Sequence, residues 1–227
     1  MLSDVEIGVL GATGPAGKGL AARLASIGHT VIAGSRDRSR ADATVAELSE
    51  RWGTAVAGLR GGTNEEAADA ADLVVVATTW EGAVDTARAH ADALAGKVVI
   101  SMANGLEKVG KEFRPVMPAE GSIAQAIQAA APRSRVVSAF HLIPAASFAA
   151  LDTPIESDVV VCGDDDAARM LVMDLTIEIP ELRAFDGGSL VNALGLEAFA
   201  AVLLSVNLRH KGEGTLRLLG VDGHGHR

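Results

Sequence analysis

The chain has 227 residues, 48% of them hydrophobic, which suffices for one α/β domain with or without a small appendage. The formal net charge of −9 argues against broad binding of nucleic acid or anionic membranes, and no run of eighteen or more apolar residues indicates a membrane span. The single cysteine, Cys162, excludes an internal disulfide, and no signal peptide is evident, so we expect a cytoplasmic protein.

The first 40 residues have the pattern of a dinucleotide-binding unit. A short apolar run over 5–10 predicts a buried strand, and the turn GATGPAG, a helix over 18–27 and a second strand over 30–33 follow. Small residues let the backbone approach a pyrophosphate, and the helix N-terminus offers N–H groups to it. The glycine spacing is unusual, so the turn alone is a weak signal. Its surroundings favour a dinucleotide over a tight turn without a ligand.

The end of the second strand indicates which dinucleotide binds. A site for NAD normally carries an acidic residue there, to bind the ribose 2′-hydroxyl. This strand ends in Gly34-Ser35-Arg36, followed by Arg38 and Arg40. A hydroxyl and guanidinium groups suit a 2′-phosphate, so we predict NADP(H) as the cofactor. The alternative is a solvated basic N-terminus of the second helix, which applies to Arg38 more than to Ser35 and Arg36.

The middle of the chain continues the alternation of strands and helices. The run over 72–77 is almost continuously β-branched, which is typical of a parallel strand covered on both faces. Thr63 and Glu66 form a capping box that opens a short helix. Further helices are predicted over 39–51, 81–94 and 122–131, and further strands over 54–59, 97–101 and 135–139.

Three features follow the carboxyl ends of predicted strands, where ligands lie in such sheets. Trp80 is expected near the cofactor, or else in the packing of the next helix onto the sheet. The segment 102–121 has no clear period and is expected to be an irregular wall or lid. His141 lines the substrate site or is a packed histidine whose ring bonds to the backbone; its position alone leaves both readings open.

The C-terminal part begins with a predicted strand over 157–162. Three aspartates then precede a helix over 167–177, and N-capping explains them better than a metal site. A possible edge strand over 182–185 leads to a helix over 190–208, which is so apolar that we expect it to be buried in the domain or between subunits. The tail carries His224 and His226 among glycines and is expected to be disordered.

We therefore predict an α/β fold, a Rossmann-type doubly wound, mostly parallel sheet with a small C-terminal helical part. Residues 1–150 are expected to form the NADP-binding domain, and residues 151–227 a smaller C-terminal part.

Beyond these patterns, the chain resembles the NADPH-dependent reductases of coenzyme F420, a 5-deazaflavin. The likeness runs from about residue 5 to residue 220. It rests on IGVLGATGPAGKGLAARLASIGH, the GSR of 34–36, TTWEGAVDTAR, VVSAFHLIPAASFAALD, VCGDDD and the GEG of 212–214. The resemblance implies reversible hydride transfer between NADP(H) and the deazaflavin, with both as small-molecule co-substrates.

The resemblance also implies site residues. The segment Thr13 to Ala16 would hold the pyrophosphate, and Ser35, Arg36 and Arg40 the 2′-phosphate. Ala145 and Leu216 match positions near the nicotinamide, and His141 matches a histidine beside the deazaflavin. The cofactor-binding set is Gly11, Thr13, Gly14, Pro15, Ala16, Ser35, Arg36, Arg40, Thr78, Trp80, Gly82, Asn104, Ala145 and Leu216. At Thr78, Gly82 and Asn104 the side chains differ from the family, so backbone contacts transfer.

The cofactors carry such chemistry, so we expect no indispensable acid–base residue, no metal, and at most a polarising or orienting role for His141. A homodimer is expected from the apolar last helix. Two alternatives remain open: an NADP-dependent reductase of another acceptor, such as a flavin, a ferric chelate or an imine, and a non-catalytic NADPH sensor.

Overall fold

A computed structural model of the chain describes residues 5–225. Ten strands and eight helices account for most of this range. The strands are β1 (Glu6–Leu10), β2 (Thr30–Ser35), β3 (Leu59–Thr63), β4 (Leu73–Val76), β5 (Val98–Ser101), β6 (Leu106–Val109), β7 (Glu112–Pro115), β8 (Arg135–Ser138), β9 (Ser157–Gly163) and β10 (Leu182–Asp186). The helices are α1 (Pro15–Ser26), α2 (Arg38–Trp52), α3 (Asn64–Ala70), α4 (Trp80–Ala89), α5 (Ile123–Ala130), α6 (Ala145–Ala149), α7 (Asp166–Glu178) and α8 (Ala193–His210).

Eight strands form one sheet in the order β10-β9-β8-β5-β4-β1-β2-β3. All neighbours run parallel except β8 and β9. These two strands pair antiparallel, with Val137 opposite Gly163 and Ser138 opposite Cys162. The strand order reverses between β1 and β4, and cofactors bind at such a point in doubly wound sheets. The predicted fold class is confirmed. The domain boundary expected at residue 150 falls between α6 and β9, and division into two domains stays a prediction.

The burial of β4 confirms the central strand predicted from the apolar run over 72–77. All four residues of β4 are buried, as expected for a central parallel strand covered by helices on both faces. The capping box at α3 is also present: the Thr63 hydroxyl accepts the N–H of Glu66, and the Glu66 carboxylate accepts the N–H of Thr63.

Helices α1 and α6 pack closely, because α1 has a glycine, Gly19, where it contacts α6. A Cβ on Gly19 would lie 2.9 Å from the Cβ of Phe148. One turn further along α1, Arg23 is 3% exposed and its guanidinium faces the backbone of α6 and of the residues that follow it. The carbonyls that accept its N–H groups are those of Ser147 at 3.0 Å, Ala150 at 2.5 Å, Thr153 at 3.1 Å and Leu151 at 3.4 Å.

Two local predictions were wrong. A strand was expected over 54–59, but a 3-10 turn covers Gly53–Val56 and the edge strand β3 begins at Leu59. The segment 102–121 was expected to be irregular, yet it contains the hairpin β6–β7. The hairpin packs on α8, and the N–H of Phe113 donates to the Ser205 hydroxyl at 2.8 Å, so a partner distant in sequence orders it.

Helix α8 is less buried than its composition predicted. Its buried positions are Ala193, Glu197, Ala200 and Ala201. On another face of the helix, Val202 is 55% exposed and Val206 is 46% exposed. The prediction that the domain interior buries this helix is therefore wrong for the single chain. By length and composition alone, residues Leu190–His210 are long and apolar enough to cross a membrane. In this structure, 28% of the most apolar 18-residue stretch of this segment is buried within the molecule.

Glu197 ties α8 to the rest of the fold. Its carboxylate accepts the N–H groups of Ile123 and Ala124, at 2.8 and 3.1 Å, and so caps the N-terminus of α5. Burial raises the pKa of Glu197 to about 7, against these two hydrogen bonds, which favour the ionised form.

The predicted N-cap of α7 is present at Asp165, whereas Asp164 has a partner outside this helix and Asp166 is its first residue. Asp165 accepts the N–H of Ala168 at 2.7 Å and caps the helix, and Asp164 accepts the N–H of Leu190 at 2.9 Å. The tail was expected to be disordered, but His224 bonds to Asp174 at 2.7 Å, so this prediction was wrong for that residue. His226 lies outside the described residues.

Candidate active site

A cleft of about 450 Å³ opens at the carboxyl ends of β1, β2 and β4, on the side where the strand order reverses. Ten of the residues that the sequence predicted for cofactor binding line it. They are Gly11, Thr13, Gly14, Pro15, Ala16, Ser35, Arg36, Arg40, Thr78 and Gly82.

The glycine turn shapes the floor of the cleft. Gly11 has a φ of +83°, and a Cβ there would lie 2.7 Å from the Thr78 side chain, so both the conformation and the space require glycine. Helix α1 begins at Pro15 with Gly14 as its N-cap, without a side-chain cap and without an acidic residue in its first turn. The positive end of its dipole is therefore not neutralised by its own residues and suits a phosphate.

The end of β2 supplies a hydroxyl and two cationic side chains. Ser35 is 4% exposed, whereas Arg36 and Arg40 are exposed at the mouth of the cleft. Within residues 5–225, neither of these two arginines has an ion pair. Arg38 differs, because its guanidinium bonds to Glu66 at 2.6 Å and it does not line the cleft. Arg36 and Arg40 therefore remain available for an anionic ligand, which suits a 2′-phosphate.

The cleft also contains polar groups that sequence reasoning missed or left without a role. Asn64 lines it, is 7% exposed, and accepts the N–H of Gly11 at 3.2 Å through Oδ1. Its place directly after β3 was the available signal, since ligands lie at the carboxyl ends of such strands. The Thr78 hydroxyl is buried and has no hydrogen-bond partner among the described residues. A polar ligand in the cleft fits this group, because buried polar groups are normally paired.

The structure brings Asn104 and His141 together beyond the carboxyl ends of β5 and β8. The Asn104 side-chain amide donates to the carbonyl of His141 at 2.9 Å. Trp80 lies apart from the cleft lining, and its indole N–H donates to the carbonyl of Leu106 at 3.1 Å, which attaches the hairpin to α4. In the described chain, Trp80 is thus an anchor for the hairpin.

His141 is buried and electrically neutral. The ring is 8% exposed, Nδ1 lies 3.2 Å from the carbonyl oxygen of Ala139, and Nε2 lies 3.4 Å from the Ser138 hydroxyl. Since a carbonyl only accepts, Nδ1 carries the proton and Nε2 is an acceptor. Burial lowers the pKa of His141 to about 4, although the backbone carbonyl contacts oppose this shift. The histidine is therefore not a proton donor at neutral pH.

The remaining predicted residues lie outside the cleft lining. Ala145 is the first residue of α6, and its carbonyl oxygen would be 3.0 Å from a Cβ on Gly19 of α1. Leu216 lies in the segment after α8, where its carbonyl accepts the N–H of Asp158 at the start of β9. Because β9 runs antiparallel to β8, its start lies at the edge of the sheet where β8 ends, the same side as His141.

Comparison with known proteins gives consistent matches. Residues 6–105 match the family model described as NADP oxidoreductase coenzyme F420-dependent. The F420-dependent NADP reductase of Methanocaldococcus jannaschii is 34% identical over 215 residues, which cover 93% of this chain and 96% of that protein. The protein of the same name from Methanothermobacter marburgensis is 32% identical, covering 91% of this chain and 94% of that protein.

A solved structure is also similar over almost the whole chain. The crystal structure of a putative F420-dependent NADP-reductase from Arthrobacter sp. FB24 superposes with a TM-score of 0.81 at 26% sequence identity, covering 94% of this chain and 99% of that one.

The neutral state of His141 predicts a pH dependence of stability. The folded pKa is about 4 and the ordinary value is 6.5, so the unfolded chain binds the extra proton between these values. The histidine therefore lowers the free energy of unfolding as the pH falls from about 6.5 to about 4, by at most about 3 kcal/mol. His141→Asn keeps a donor for Ala139 but does not titrate.

The measurement is urea unfolding of both proteins between pH 4 and 8. We expect the difference in unfolding free energy between wild type and His141→Asn to be constant above pH 7 and to shift against the wild type at lower pH. Glu197 titrates in both proteins, so its opposite contribution cancels in the difference. A difference that is independent of pH would show that His141 is not held neutral.

Proposed function

The chain belongs to the family of F420-dependent NADP reductases, and from this premise we propose that its cleft holds NADP(H) by the backbone of residues 11–16 and by Ser35, Arg36 and Arg40. The enzyme is an oxidoreductase that transfers hydride reversibly between NADP(H) and the deazaflavin coenzyme F420. The observation that carries the residue assignment is a glycine turn beside two exposed arginines that form no ion pair with any of residues 5–225, on an otherwise acidic molecule.

Within this assignment each group of the chain has a physical task. The N-terminus of α1 and the glycine turn bind the pyrophosphate, and the two guanidinium groups bind the 2′-phosphate. The Thr78 hydroxyl gains a partner when the cleft is filled. These contacts fix the dinucleotide at several points, so its nicotinamide is delivered to one place at the carboxyl edge of the sheet.

Hydride transfer between the two coenzymes needs no protein nucleophile, since the coenzymes supply the chemistry. The chain contributes orientation and exclusion of water. We assign His141, Asn104, Ala145 and Leu216 to the wall around the reacting rings. In its neutral form, His141 can orient a polar group through hydrogen bonding but does not supply a proton at neutral pH.

The proposal also covers where the enzyme is located and how its subunits assemble. We propose a cytoplasmic enzyme that contacts neither nucleic acid nor membrane, consistent with its acidic charge. We also propose a homodimer formed by the exposed apolar face of α8. Together with the hairpin, this face borders a groove of about 680 Å³ lined by Phe113, Phe199, Val202 and Val206 among others. A second copy would cover apolar side chains that water contacts in the single chain.

The activity is tested by mixing the protein with NADPH and oxidised F420 and following the absorbance of the deazaflavin. We expect its bleaching to match NADPH consumption mole for mole. Turnover with a flavin, a ferric chelate or an imine, but not with F420, would favour the alternative reductases. NADPH binding without turnover of any acceptor would favour a sensor.

The cofactor assignment predicts a selective effect of Arg36→Ala. Loss of one charge-assisted hydrogen bond to the 2′-phosphate costs about 1.5–3 kcal/mol, so the KM for NADPH should rise by about 10- to 150-fold. The KM for NADH, which lacks that phosphate, should change by less than about twofold. Arg38→Ala is the matched control, since Arg38 pairs with Glu66 and lies outside the cleft lining. Equal losses for both dinucleotides would overturn the assignment.

The oligomer assignment predicts that Val202→Glu yields monomers. A carboxylate placed in an apolar interface is desolvated without a partner, which disfavours association. The mass in solution, measured by analytical ultracentrifugation at micromolar concentration, should halve relative to the wild type. Met170→Glu is the control, because Met170 is 46% exposed on α7 and does not line the groove beside α8. A monomeric wild-type protein would exclude the proposed dimer.

A further inference from the structure

The segment after α8 returns to the sheet and lies against the start of β9. The carbonyl of Leu216 accepts the N–H of Asp158 at 2.9 Å and the hydroxyl of Ser157 at 3.4 Å. The hydroxyl of Thr215 donates to the carbonyl of Glu156 at 3.3 Å. These bonds attach residues 215–216 to the backbone beside the first residues of β9.

An ion pair fixes the next residues. The Asp158 side chain is fully buried and accepts Nε and Nη2 of Arg183 from β10, at 2.8 and 2.6 Å. The same carboxylate accepts the N–H of Leu218, and the same guanidinium donates to the carbonyl of Leu218 at 2.6 Å. Both polar backbone groups of Leu218 are therefore held by one ion pair, of which the carboxylate is buried and the guanidinium is partly exposed. Arg217 contributes a further positive charge 3.6 Å from the carboxylate.

The charge balance of this pair is favourable. Burial raises the pKa of Asp158, but the hydrogen bonds of Arg183 and Leu218 and the charges of the two arginines outweigh it, so the pKa lies below its ordinary value. The carboxylate stays ionised at neutral pH, where bidentate pairing with a guanidinium is strong and geometrically specific.

The pair lies directly beside the candidate active site. Asp158 lines the same small cavity as Phe140, His141 and Leu142. The far end of the segment, by contrast, is loosely held: Leu219 is 90% exposed. The backbone attachments around Asp158 thus set where residues 215–218 lie relative to His141.

We propose that Asp158 and Arg183 are positioning residues for hydride transfer, which clamp Leu218 and so hold residues 215–218 as a wall of the deazaflavin site. This role rests on the proposed function, because it presumes that the deazaflavin lies on the His141 side of the sheet. Neither residue lines the cleft proposed for the ribose and phosphates, so the clamp acts at the end of the site where the two reacting rings meet, which includes Leu216.

Leu218→Pro tests the clamp. Proline lacks the N–H that Asp158 accepts, while the Asp158–Arg183 pair itself stays intact. Since small displacements of a substrate wall cost large factors in productive binding, the KM for F420 should rise by about tenfold or more. The KM for NADPH should rise much less, because the contacts proposed for its pyrophosphate and 2′-phosphate lie in the cleft, away from the clamp. Leu219→Pro, at the exposed neighbouring position, should leave both values near those of the wild type.

A second variant alters the carboxylate of the clamp. Asp158→Asn weakens the bidentate pair and should raise the KM for F420 in the same selective manner. Its control is Asp186→Asn. Asp186 lies at the end of β10 and pairs with Arg169 of α7, so this variant also weakens an ion pair but not one that holds Leu218. A fold-wide effect of losing an ion pair would appear in both variants.

Hydrogen–deuterium exchange of the peptide spanning residues 212–219 reports the clamp without any substrate. Faster exchange in Leu218→Pro and Asp158→Asn, with a selective rise in the KM for F420, supports the proposal. Faster exchange with an unchanged KM for F420, or equal rises for both substrates, overturns it while the proposed function stands. A wild-type protein that does not reduce F420 overturns the proposed function, and the role of the clamp with it.

Discussion

The buried guanidinium of Arg23 connects the two regions on which the enzyme depends. A cation out of water is costly unless several acceptors replace its hydration, and carbonyls of α6 and of the residues after it do so here. Because Arg23 belongs to α1, the helix that begins at the glycine turn, the same side chain fixes α6 relative to that turn. The distance between the proposed pyrophosphate site and the proposed nicotinamide wall is thereby set by packing inside the molecule, before either coenzyme binds.

Polar contacts at defined points order the C-terminal part and join it to the rest of the fold. The antiparallel pairing of β8 with β9 covers two residue pairs. Glu197 caps α5 from α8, and Asp158 receives both Arg183 and the segment after α8. Such contacts define geometry more than they add stability, since a buried charge is tolerated only where enough hydrogen-bond partners surround it in the right directions. The contacts of Asp158 place residues 215–218 at the edge of the sheet that holds His141.

The parts of the molecule that could be predicted from sequence are those that local patterns determine. The order of strands and helices, the glycine turn, the capping box at Thr63 and the basic residues after β2 all follow from short-range periodicity and turn chemistry. Contacts between distant residues were out of reach. The hairpin over 106–115 depends on Ser205, and the clamp on Leu218 depends on a strand 60 residues earlier. The composition of α8 indicated burial but could not distinguish a domain interior from an exposed face of the single chain.

The two arginines after β2 have a consequence for how a ligand approaches. The molecule carries a formal net charge of −9, so a polyanionic nucleotide is repelled over most of the surface. Arg36 and Arg40 concentrate positive potential at one end of the cleft, and such a focus captures anions at distances of about one Debye length, roughly 8 Å at physiological ionic strength. Under the proposed assignment, we expect the phosphorylated ribose to be the first part of the dinucleotide to be held, and the nicotinamide end, which carries no phosphate, to settle afterwards.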